Sequence, residues 1–111
     1  MGLAYSNSDN DNKAIECFRK AVELAPDDAV YWHNLGDAYA VLKNHEKALE
    51  CFQRAVKLRP EEAGDWNQIG MAHYYLGNYK KAVEAFQKAV QLEPGDKTYR
   101  ENLAAAEEAL S

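Results

Sequence analysis

Trp32-His33-Asn34-Leu35-Gly36-Asp37-Ala38-Tyr39 returns 34 residues later as Trp66-Asn67-Gln68-Ile69-Gly70-Met71-Ala72-His73. Behind each octet comes a second echo, Ala48-Leu49-Glu50-Cys51-Phe52 and then Ala82-Val83-Glu84-Ala85-Phe86. Laid over one another without a gap, residues 29–62 and 63–96 agree at about 15 of 34 positions, including Ala55/Ala89 and Pro60/Pro94. Self-similarity at that period is the signature of stacked structural units, each too small to bury its own apolar face. Backward, the register places Gly2, Tyr5, Ala14, Phe18, Ala21 and Pro26 in the same slots; forward, it aligns Leu103 with Leu35 and Ile69 and stops.

Within one unit the apolar spacing is helical. Trp32, Leu35, Tyr39 and Leu42 form one stripe, and Ala48, Phe52, Ala55 and Val56 form another, with Lys43-Asn44-His45 between them. Each unit therefore reads as helix, turn, helix. Gly36 and Gly70 fall in mid-helix, where glycine costs up to about 1 kcal/mol relative to alanine, so a neighbouring helix is expected to press on bare backbone there. Ala48 and Ala82 follow the same logic, and Phe52, Phe86, Trp32 and Trp66 supply the large groups that fill the space beside small ones. Pro26, Pro60 and Pro94 end each second helix, after which Asp28 and Asp96 are placed to cap the next one.

The pattern W-x2-L-G-x2-Y, then A-x3-F-x2-A and P, filled by Trp32, Leu35, Gly36, Tyr39, Ala48, Phe52, Ala55 and Pro60, resembles the tetratricopeptide repeat. Ile69 and His73 are mild departures in the following unit. The resemblance implies an all-α fold, a right-handed superhelical solenoid of antiparallel helix hairpins. Its expected units are a truncated first repeat at 1–28, full repeats at 29–62 and 63–96, and a capping helix at 97–111. In the first repeat a short helix over about Gly2–Asn7 is expected to end in a polar turn, Ser8-Asp9-Asn10-Asp11-Asn12. That run is similar to the start of a calcium loop, but it lacks the glycine and the distal glutamate such a loop needs. Tyr99, Leu103, Ala106 and Leu110 give the last helix an apolar stripe, with Arg100, Glu101, Glu107 and Glu108 facing water.

The net charge of −5 and pI of about 5.1 argue against nucleic acid and anionic lipid surfaces as partners. No apolar stretch approaches the roughly 20 residues that cross a bilayer, and the first residues do not read as a signal peptide, so a cytoplasmic setting is expected. Cys17 and Cys51 share a slot in successive units; stacked helices lie about 8 to 10 Å apart, beyond the roughly 7 Å that a disulfide spans between Cα atoms. Both are read as reduced, small core residues.

The resemblance also implies that the first helix of each hairpin lines a concave groove that holds a peptide or protein segment. The residues it places there are His33, Asn34, Asp37 and Val41, then Asn67, Gln68, Met71, Tyr74 and Tyr75, then Glu101, Asn102 and Ala105. Asn34, Gln68 and Asn102 form a carboxamide series able to donate to and accept from a peptide backbone, or to bond within the array. Met71, Tyr74 and Tyr75 suit an apolar or aromatic side chain, although Tyr74 is also placed to pack between repeats where His73 has displaced a tyrosine. Family members with a carboxylate clamp grip the C-terminal aspartate of heat-shock chaperones with lysine, arginine and asparagine. Here only Asn34 matches, while Leu3, Gly64 and Gln68 stand in the other clamp positions, so that ligand is not expected.

Catalysis is not expected either: His33 with Asp37, and His73 alone, make no converging constellation, and two ligands one turn apart fall short of a zinc site. No cofactor is implied. The rival to a peptide-binding scaffold is a structural or self-assembly module. In it the apolar side of the first unit, carrying Ile15, Phe18, Val22 and Leu24, is left open by its short first helix and is covered by a second copy or by further repeats of a longer array.

Overall fold

The computed structural model describes the chain from Gly2 to Ser111 and its side chains from Asp11 onward. Among the described residues there are six α-helices and no strand: α1 (Gly2–Leu24), α2 (Ala29–Val41), α3 (His45–Leu58), α4 (Ala63–Tyr75), α5 (Tyr79–Leu92) and α6 (Lys97–Leu110). Each helix packs on the next one in sequence, so α2/α3 and α4/α5 are hairpins joined by the short turns around Lys43 and Gly77. The residue that leaves each first helix sits in left-handed conformation, Lys43 at φ 64° and Gly77 at φ 83°, which is how these tight turns reverse the chain.

The first unit differs from expectation. The run Ser8–Asn12 is not a turn but part of one continuous helix, α1. Its serine, aspartates and asparagines are modest helix formers, each disfavoured by only about 0.5 kcal/mol, and the run contains no glycine or proline to stop a helix. The roles assigned to Leu3 and Tyr5 lie outside the described side chains. The apolar side of α1 is also less open than the sequence suggests: Ile15 and Val22 are buried and Phe18 is partly buried in a cluster with Leu35, Ala38 and Cys51, leaving Leu24 as the exposed member. Cys17 is a second correction. Only Cys51 is a core residue, and Cys17 is on the surface; both are free thiols.

Packing inside the hairpins follows large-against-small logic. A Cβ added at Gly36 would lie 2.7 Å from the Phe52 ring, and one at Gly70 would lie 2.5 Å from the Phe86 ring, so each phenylalanine of a second helix rests on the bare backbone of its own first helix. Ala48, Ala55, Ala82 and Ala89 are fully buried beside them. Between hairpins, the Trp32 indole N–H donates to the Pro26 carbonyl at 2.8 Å and the Trp66 indole to the Pro60 carbonyl at 2.7 Å. The tryptophan thus ties each hairpin to the turn before it, and the proline, which has no N–H of its own, offers its carbonyl as acceptor. Asp28 caps α2 through the Val30 amide and Asp96 caps α6 through the Tyr99 amide, both at 3.0 Å.

At the last helix Ala106 is buried and Leu103 partly so, whereas Arg100, Glu101, Glu107 and Glu108 are exposed. Leu110 departs from the expected stripe and is half exposed.

Candidate binding faces

The first helices of the hairpins and α6 are laced together by side chains on one side of the array. The Gln68 amide donates to Asp37 at 2.7 Å, linking α4 to α2, and the Asn102 amide donates to Asn67 at 2.9 Å, linking α6 to α4. A third tie is ionic. His33 Nδ1 lies 2.7 Å from Asp65 Oδ1, and the guanidinium of Arg59, at the end of α3, grips the same carboxylate through Nε at 2.7 Å and a terminal nitrogen at 3.0 Å. Asp65 is wholly buried, and its remaining cost of desolvation is met by these three bonds.

His33 also reaches Asp37 through Nε2 at 3.2 Å, so Arg59, Asp65, His33, Asp37 and Gln68 form one chain of contacts across the joint between the two hairpins. The bonds to Asp37 and then to Asp65 raise the His33 pKa to about 9, against the opposing effect of burial, and the ring is therefore a cation at neutral pH. Burial alone would raise the Asp65 carboxyl, but His33 and Arg59 hold it below the usual range. By spacing His33 and Asp37 are only two groups one turn apart on α2; the fold makes both part of this inter-repeat joint. Asp65 and Arg59 were missed because they do not recur. Positions 34 residues from Asp65 hold Tyr31 and Tyr99, so the signal was a break in the period.

The carboxamide series is correspondingly divided. Gln68 and Asn102 are turned into the array by their bonds to Asp37 and Asn67, and Asn34 takes no part in these ties. Of the three residues offered as apolar surface, Met71 and Tyr74 are half-buried against the cluster of Val83, Phe86 and Ala106. The Tyr74 ring meets Tyr79 edge-on at 5.3 Å, within its own hairpin. Tyr75 is 58% exposed and stacks on His45 of the preceding hairpin at 4.7 Å.

Two small pockets open on this inner side. One, of about 110 Å³, includes Ala40, Phe52, Gln68, Met71 and Tyr75; the other, of about 160 Å³, includes Tyr74, Phe86, Asn102, Ala105 and again Met71 and Tyr75. Ala40/Tyr74, Phe52/Phe86, Gln68/Asn102 and Met71/Ala105 are each 34 residues apart, so this is one pocket repeated. No lysine or arginine lines either copy. The second helices diverge on the opposite side and leave wider grooves, of about 380 Å³ above Trp32, Leu35 and Tyr39, and about 940 Å³ above Trp66, Ile69 and His73. His73 is buried there with Nδ1 lacking a partner, and burial, with Lys81 nearby, keeps its pKa below the ordinary value. Among the described residues no three His, Cys, Asp or Glu side chains converge as metal ligands, and no helix is long and apolar enough to cross a membrane.

The Tetratricopeptide repeat family matches residues 35–111, and a second form of it matches residues 1–61. The chain belongs to the tetratricopeptide repeat family. Several solved structures share its fold over nearly its whole length. The first such domain of Spaghetti (RPAP3), solved with the HSP90 peptide SRMEEVD, superposes with a TM-score of 0.89 at 25% identity, covering 98% of this chain and 86% of that one. The Sgt2 domain from Aspergillus fumigatus gives 0.86 at 27% identity over 98% and 74% of the two chains. MamA gives 0.86 at 28% identity over 96% and 63%. In sequence, 39 residues are 51% identical to the peroxisomal targeting signal receptor of Debaryomyces hansenii, a match to 32% of this chain and only 6% of that relative's length.

Proposed function

We propose that this tetratricopeptide array is a non-catalytic protein-interaction scaffold whose inner face holds a peptide segment lying across α2, α4 and α6. The observation that carries the reading is the repeated inner pocket, with Met71 and Tyr75 as the ridge between its two copies. A segment that seats one apolar side chain in each copy straddles that ridge, while Asn34 offers an amide to its backbone. The ties Asp37–Gln68 and Asn67–Asn102 hold the ridge and pockets in register before any ligand arrives, which reduces the ordering cost of binding.

The similar domain solved with an HSP90 peptide supports peptide capture as the class of activity. The ligand favoured here is different, because uncharged Gly64 and Gln68 stand where clamp cations would be, and neither inner pocket has a lysine or arginine to neutralise a terminal carboxylate.

The test is selection of ligands from a random-peptide display on the intact chain, followed by calorimetric titration of the wild type and Tyr75→Ala. Loss of the ridge should weaken binding about tenfold, or about 1.4 kcal/mol, with helical circular dichroism unchanged. Equal affinity for the two proteins would place the ligand elsewhere and defeat the inner-face reading.

A further inference from the structure

The chain is acidic overall, yet the grooves on the side away from the inner pockets carry more cations than carboxylates. Six of its 13 lysines and arginines, namely Arg19, Lys47, Arg54, Lys57, Lys81 and Lys88, line the two outer grooves, against three carboxylates, Glu23, Glu50 and Glu84. The arrangement is periodic: Lys47/Lys81, Glu50/Glu84 and Arg54/Lys88 are 34 residues apart. Among the described residues, the ion pairs engage His33, Arg59 and Lys97 and none of these six cations. Instead Arg54 lies over the Trp32 ring at 5.5 Å and Lys88 over the Trp66 ring at 6.0 Å, charge placed beside partly buried aromatic rings.

The groove between α3 and α5 is the wider of the two. Smaller residues stand at two of its slots, His73 for Tyr39 and Ala85 for Cys51. Its floor is Trp66 and Ile69, and Arg54, Lys57, Lys81 and Lys88 rise around it, all exposed. A floor that takes an apolar anchor, ringed by four unpaired cations and only two carboxylates, is complementary to one kind of protein surface.

We propose that this outer groove is a second binding site, for an acidic protein segment carrying an aromatic or aliphatic anchor. The anchor lies on Trp66 and Ile69, and carboxylates on either side of it pair with Arg54, Lys57, Lys81 and Lys88. Desolvating the anchor supplies affinity, while the cations set the on-rate and select against basic or neutral segments. The site is independent of the inner face, so the array can hold two chemically different segments at once.

The probe is a fluorescein-labelled synthetic peptide in which a Leu-Phe pair is flanked by aspartates and glutamates, titrated against the intact chain by anisotropy. Saturable binding is expected, weakened at least about tenfold in the Lys57→Glu, Lys88→Glu double variant and in a peptide with amides in place of carboxylates. If charge reversal perturbs the helical circular dichroism, Lys57→Gln with Lys88→Gln replaces it. Tyr75→Ala should leave this binding unchanged, which separates the outer site from the inner one. The proposal is overturned by absence of saturation, by equal binding of the amide peptide, by indifference to the lysine changes, or by loss of binding in Tyr75→Ala. It is equally overturned if phosphatidylserine vesicles retain the chain through these lysines and the peptide does not compete, since the groove would then be reading a membrane.

Discussion

Lys43 and Gly77 occupy the same turn in successive hairpins, and both have positive φ. For a lysine the left-handed conformation sets Cβ against the following carbonyl, at about 1 to 2 kcal/mol, whereas glycine adopts it freely. The first full hairpin therefore carries a strain its neighbour has shed. Lys43→Gly is expected to stabilise the protein by about 0.5 to 1 kcal/mol, less than the full strain because glycine also loosens the unfolded chain. The midpoint of a urea titration checks it, and a lowered midpoint would contradict the account. Lys43 lines none of the pockets described, so binding should be indifferent to the change.

Between helices the decisive contact is a phenyl ring on a glycine. In Gly70→Ala the new methyl would fall 2.5 Å from two ring carbons of Phe86, itself nearly fully buried, and neither α4 nor α5 can yield without disturbing Ala82 and Ala89. An overpacking penalty of about 1 to 3 kcal/mol is expected, partly relieved when Phe86→Leu is added; additivity of the two changes in a double-mutant cycle would exclude direct contact. This level of organisation was readable from the sequence because it recurs: Gly36/Gly70, Phe52/Phe86 and Trp32/Trp66 carry the same packing problem and its solution twice. What does not recur was not readable. Ser8–Asn12 looked like a turn by composition, but the helix continues through it since weak propensities summed over a few residues do not match a glycine or proline as a stop. The carboxamides were legible as a series, but not their bonding, because asparagine and glutamine serve equally well facing a ligand or a neighbouring helix.

Across the molecule, cohesion between the two full hairpins depends on pH. The His33 pKa is about 9 in the folded chain and near 6.5 when unfolded, so its contribution is fully present below pH 6.5 and is lost as pH rises through 9. Thermal melts should show a decline between about pH 7 and pH 10, worth about 2 kcal/mol after allowance for partial exposure of the ring, and His33→Gln should flatten that dependence. A wild-type midpoint unchanged across that window would mean that the ring is neutral. The joint escaped sequence reading for the reason that makes it informative. Arg59, Asp65 and His33 occur in one joint only, and three such residues, on α2, on α4 and at the end of α3, are unrelated until the fold brings them together.

The indole bonds to the two proline carbonyls have a consequence beyond stability. Each tryptophan sits at a different joint, and the chain has only two. Emission from an indole shifts when its N–H exchanges a carbonyl partner for water, so the joints before α2 and α4 each carry one optical label, placed by the sequence itself. Removing either tryptophan leaves a single-colour reporter for the other, and fraying from the first hairpin becomes distinguishable from fraying at the second without attaching a dye.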